Sequence, residues 1–252
     1  DDLNVSANFF SGGIIGIAGN CNVKIDGSSD SEGLIRGSIT SGSISLVGDT
    51  SRGEGASLYG VGIGAATVIG AFLNTNNTVL TSLSVTNINI EDLDISAPLI
   101  GRAMLGGIVG CCGNTTAKNI QSRIQNVDIK NVDINKEVKR FAFNGGIIGL
   151  VKEGVKKCEI SNVKIIGDKN NKNTITGYRH SGGIIGLTSS DTIIDNCLIE
   201  NYEIVTDEYG EDVGGIVGKI NDNKSTLIVK NSKISDCVIK INDNNSKNSD
   251  GT

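Results

Sequence analysis

The chain of 252 residues contains one Pro, one Met, one His and no Trp, and aromatics make up only 4% of it. Large rings cannot fill a core here, so burial must come from small aliphatic side chains, and Ile and Val supply them. Such β-branched residues suit pleated, closely stacked strands. No apolar run reaches the ~18 residues of a spanning helix, which argues against membrane insertion. No basic run stands out either. With a net charge of −5 and a pI near 5.0, nucleic acid is not an expected partner. The six Cys lack zinc spacing, and with a single His they exclude a Cys/His metal site. A chain beginning Asp1-Asp2 rather than Met is expected to be a mature or trimmed product.

What the sequence does have is glycine, 34 residues, nearly double the ~7% of an average chain. Much of it recurs in one signature. Gly12-Gly13-Ile14-Ile15-Gly16 returns as Gly106-Gly107-Ile108-Val109-Gly110 and Gly145-Gly146-Ile147-Ile148-Gly149. Two more copies are Gly182-Gly183-Ile184-Ile185-Gly186 and Gly214-Gly215-Ile216-Val217-Gly218, and Gly60-Val61-Gly62-Ile63-Gly64 is a degenerate one. A second pattern, Ile-x-Asn-apolar-x-Ile, follows each signature. Aligned on it, the first apolar residue falls at Val85, Ile124, Ile160, Ile199 and Ile234, in steps of 39, 36, 39 and 35. One repeat therefore predicts one coil of an all-β, parallel β-helix or β-solenoid of about six coils. Stacked at ~4.8 Å, six coils make a rod near 30 Å long. Asn breaks the two-residue strand period and marks a corner, because it tolerates left-handed backbone.

This alignment places Ile124, Ile160, Ile199 and Ile234 in one inward ladder. It also puts Cys158 and Cys197 at one position of successive coils, either as stacked buried thiols or as an intercoil disulfide. Cys237 aligns with Val127, Val163 and Tyr202 and is expected to be unpaired. Adjacent Cys111 and Cys112 should face opposite ways. Residues 1–10 are expected as a lead or cap, with Phe9-Phe10 either folding over the first coil or entering a strand. Residues 11–242 form the solenoid, and 243–252 a polar tail or linker.

The glycine signature followed by spaced Ile-x-Asn strands resembles the GLUG repeat over about residues 11–242. That repeat occurs in bacterial surface proteins, including streptococcal immunoglobulin A peptidases outside their catalytic domains. The resemblance implies an extracellular or cell-surface location and brings no catalytic residues. Five Asn-X-Ser/Thr sequons, at Asn4, Asn76, Asn114, Asn223 and Asn244, point weakly the same way.

Candidate chemistry is sparse. His180 could act as a general base, but no nucleophile motif marks a partner for it. Asp92 and Asp94, within Glu91-Asp92-Leu93-Asp94, would share one strand face and could meet a sugar or Ca²⁺. The acidic stretch 207–212 (Asp207, Glu208, Glu211, Asp212) could also take Ca²⁺, the one cofactor considered, although it lacks an EF-hand spacing. Asp128, Lys130 and Asp133 read as an outward polar row. No catalytic, cofactor or metal residue is assigned, and the chain is not expected to be an enzyme. The expected function is a structural or adhesive surface module that meets protein or glycan surface ligands and self-associates through its solenoid ends. The alternatives are a carbohydrate-active enzyme of the β-helix type and a spacer of a larger secreted peptidase.

Overall fold

The computed structural model describes residues 3–7, 10–27, 38–46, 63–75, 78–96, 103–113, 119–135, 142–206, 210–221 and 225–241. All regular elements among the described residues are β-strands, and their pairs are parallel. The chain winds as a β-solenoid with three sheets. Two of them have six short strands each, one on either side of each arch; the degenerate signature expected at Gly60–Gly64 is corrected, because the arch of that turn is Ala66-Thr67-Val68-Ile69-Gly70, in register with Gly106–Gly110. The third has 12 strands and forms a long face. Turns beginning at Phe10, Ile63, Ala103, Ala142, His180 and Asp212 each pass through all three sheets, and the four middle ones are covered by a turn on either side.

The signature builds a tight arch. In one turn, strand Ala103–Gly106 leads through Gly107 and Ile108 into Val109–Cys112, and the two arms pack backbone against backbone. A Cβ on Gly110 would lie 2.6 Å from the carbonyl oxygen of Gly70 and 2.8 Å from the amide nitrogen of Ala65. One on Gly107 would meet Ile129 Cδ1 at 2.7 Å. Glycine fits such approaches without strain, and Gly70 keeps the Gly110 position in the preceding turn, where Ala66 and Thr67 replace the glycine pair.

The long face bends at two corners five residues apart. Asn87, Asn126, Asn162, Asn196 and Asn231 hold the first, with φ between 51° and 57°. Asp92, Asn131, Asn201 and Asp236 hold the second, with φ between 51° and 58°. At the first corner the side chains form a ladder. Asn87 Nδ2 donates to Asp26 Oδ1 at 2.8 Å, Asn126 to Asn87 at 3.0 Å, Asn162 to Asn126 at 3.0 Å and Asn196 to Asn162 at 2.8 Å. Between corners, alternate residues turn inward and stack with their own kind. Val85, Ile124, Ile160, Ile194 and Val229 form one column. Ile90, Ile129, Ile165, Ile199 and Ile234 form another.

These registers correct the sequence alignment. Ile160 pairs with Ile194, and Ile199 pairs with Ile165, so the expected single ladder is two ladders offset by five residues. Accordingly Cys158 stacks on Thr192, Cys197 stacks on Val163, and all six cysteines are free thiols. The intercoil disulfide is therefore excluded by register. Cys111 and Cys112 do face opposite ways: Cys112 belongs to the main core, and Cys111 to a small cluster with Leu73, Met104, Leu150 and Leu187. Phe10 opens the strand Phe10–Gly12, paired with Ile63–Ala66, while Phe9 lies outside the described residues. Strand Leu3–Ala7 pairs with Ser38–Leu46 and adds a partial rung beyond the first turn. The tail 243–252 is outside the described residues.

Candidate functional site

The two arms of the arch present one outward column each, and the columns face one another. On the first arm, the residue two before the glycine pair stacks as Met104, Phe143, His180 and Asp212. On the second, the residue just after the last signature glycine stacks as Ala71, Cys111, Leu150, Leu187 and Lys219. The early rungs are apolar and form the small cluster outside the main core. The last rungs become polar, and there the charged groups gather.

His180 marks the change. Its ring stacks on Phe143 with centroids 5.1 Å apart and planes 6° from parallel. It is 3% exposed. Nδ1 lies 3.0 Å from Asp212 Oδ2, and Nε2 lies 3.7 Å from Glu211 Oε2. Although close, Nδ1 and Asp212 Oδ2 are not aligned for a hydrogen bond, and both atoms are buried without another. Burial pushes the imidazole down to about 4, helped by the Lys219 ammonium, while Asp212 and Glu211 pull the other way. At neutral pH the ring is thus uncharged.

Lys219 Nζ lies 3.1 Å from Asp212 Oδ2 and 3.6 Å from Glu211 Oε2, the two carboxylate oxygens that face His180. Arg179 caps the rim by donating through Nε to Glu211 Oε1, which its Nη2 also meets. Two cations and two carboxylates balance around a neutral ring. His180, Glu211 and Asp212 have the donor atoms of a divalent-metal site. The ammonium of Lys219 sits against both carboxylates, so the cluster forms a charged layer beside the small apolar core. Of the acidic stretch considered for Ca²⁺, Asp207 and Glu208 lie outside the described residues, and Glu211 and Asp212 belong to this layer.

The other sequence candidates separate. Asp92 is a corner residue whose carboxylate accepts from Asn131 Nδ2 at 3.0 Å. Asp94 stacks instead on Asp133, and burial followed by that neighbouring charge raises its carboxyl above the usual range. Asp133 is itself engaged, accepting from Asn173 Nδ2 and from the Thr174 hydroxyl at 3.0 Å each. Asp128 stacks on Lys164, and Lys130 on Glu91, in the outward row expected of them. Ser181, next to His180, donates its hydroxyl to the Val205 carbonyl at 2.8 Å and is not the imidazole's partner.

Sequence reasoning missed Phe143, Lys219 and the role of Arg179. A signal was present: counting two residues back and one forward from each of the five full glycine signatures lines up both columns. No family model, no curated protein and no solved structure matches the chain.

Proposed function

We propose that the chain is a non-catalytic structural module of a secreted or surface protein, and that it binds further β-rungs through its open last turn. The carrying observation is that, among the described residues, the inward columns end on exposed side chains. In the last turn Val229 is 40% exposed and Ile239 44%, whereas their mates one rung earlier, Ile194 and Ile204, are 0% exposed. Ile220 and Ile241 are exposed beside them. An edge that offers both stacked Ile/Val side chains and unpaired backbone groups is a template for another strand. Ile14 is exposed in the same way on the first turn. The balanced ion pairs around His180 support a non-catalytic reading, because each charge there already has a partner.

Light scattering coupled to size exclusion tests this. Mass should rise with concentration for the unmodified chain, and the rise should vanish in Val229→Asp and Ile239→Asp, which alter only residues already exposed. A mass that depends neither on concentration nor on these substitutions would refute the reading.

A further inference from the structure

The strand registers define how many rungs the described residues contribute to each part of the stack. Each arm of the arch has six rungs, from Phe10–Gly12 to Asp212–Gly214 and from Ile15–Gly19 to Val217–Ile220. The first half of the long face also has six, running from Val23–Asp26 to Leu227–Lys230. Its second half has seven, because Leu3–Ala7 adds a rung below Ser38–Leu46, and the far end still finishes with Val238–Ile241. Along this half one column runs Val5, Ile44, Ile95, Ile134, Ile175, Ile204, Ile239. Val5 and Ile239 are its two ends among the described residues.

Now let the first turn of a second copy continue the stack. Its Gly12 falls over Gly214, its Ile15 over Val217, and its Val23 and Ile25 over Leu227 and Val229. Each of these steps repeats one already made inside the molecule. Its Ser38–Leu46 must then rest directly on Val238–Ile241. That position is already filled, because the newcomer's own Leu3–Ala7 lies beneath its Ser38–Leu46. The two strands cannot share one slot.

We propose that the last turn is a docking surface for the first turn of a second copy, and that Leu3–Ala7 is an internal competitor which must leave before the ends join. The proposal rests on the stacking reading above and adds its partner and its control. The assembly is head-to-tail, a contact that does not close, so it propagates. Because strand Leu3–Ala7 is short and pairs along one edge only, its release is a local opening and not global unfolding.

Val5→Pro tests the control. It places proline at the centre of the paired strand, which disfavours the pairing, and leaves the last turn untouched. Deleting residues 1–8 is a second variant that serves if the proline disturbs folding. By light scattering and negative-stain microscopy, both should associate at ~10-fold or more lower concentration than the unmodified chain. Adding Ile239→Asp to either should abolish the effect, and a peptide spanning residues 1–9 should reverse it. If the released variants associate no more readily than the unmodified chain, while Ile239→Asp still suppresses both, the competition is overturned and the stacking reading stands. If folded, released variants never associate, both readings fall.

Discussion

Replacing Asn162 separates two contributions that the corner ladder combines. Asn162 holds φ at 54°, donates to Asn126 at 3.0 Å and accepts from Asn196 at 2.8 Å. Alanine loses both bonds and must also adopt left-handed backbone. The backbone cost is ~1–2 kcal/mol. Two exposed hydrogen bonds at the weak end of the usual range contribute ~1 kcal/mol together. Asn162→Ala should therefore destabilise by ~2–3 kcal/mol, which for a chain of this size lowers Tm by ~5–10 °C. Glycine loses the same bonds but adopts this φ freely, so Asn162→Gly should cost only ~1 kcal/mol. Circular dichroism during thermal and urea unfolding reads both. Equal losses in Ala and Gly would mean that backbone handedness does not govern the corner. No loss in either would mean that the ladder contributes nothing.

The arch should be as sensitive. Gly110→Ala, whose Cβ would sit 2.6 Å from a backbone oxygen, should cost ~1–3 kcal/mol or more in urea unfolding. Gly19→Ala, with its nearest neighbour at 3.8 Å, should be nearly silent. His180 sets a pH dependence. Its value is about 4 when folded against 6.5 for the free group, so protonation favours unfolding: this contribution is complete above pH 6.5 and is lost as pH falls from there toward 4. Urea midpoints should therefore drop across that interval in the unmodified chain and drop less in His180→Phe. Register is checked chemically. Thr192→Cys should cross-link to Cys158 on mild oxidation, since the two positions pair, while non-reducing peptide mapping of the unmodified chain should show no Cys158–Cys197 link.

The solenoid and its glycine arches could be read from the sequence because both are local. The signature Gly-Gly-Ile-Ile-Gly is imposed by backbone approach within two neighbouring turns, and it survives in five copies. Register is a different matter. Two corners five residues apart give each long rung two equivalent segments, as in Asn126-Val127-Asp128-Ile129 and Asn131-Val132-Asp133-Ile134. Aligning Ile199 with Ile160 therefore satisfied the pattern as well as the true partner, Ile194, does. Nor does spacing from the signature break the tie. From the last signature glycine to the first corner there are 16 residues at Asn126, 13 at Asn162 and 10 at Asn196, because the intervening segments differ in length. Only the stack itself, pairing one long strand with the next, decides. The charged layer was hidden for another reason. His180, Asp212 and Lys219 are remote in sequence and unremarkable one by one. They meet because rungs stack, and only columns drawn through the glycine signatures bring them together.

The amide ladder at the first corner also has a direction, and this bears on chemical ageing. Each rung's side-chain nitrogen donates to the oxygen of the rung before it, and the series terminates on the carboxylate of Asp26. The second corner does likewise, with Asn131 donating to Asp92. An acid, which can only accept when ionised, takes a donor and passes none on: Asp26 and Asp92 end their ladders in this way, and Asp195 takes the amide of Asn231 at the far end. Deamidation of Asn126 or Asn162 would set a carboxylate against the oxygen of the preceding rung, turning a bond into a repulsion in mid-stack. The residue after each of these asparagines, Val127 or Val163, is β-branched and buried, which hinders the backbone nitrogen from closing the ring through which deamidation proceeds. The same inward valine that packs the core thus protects the outward amide beside it.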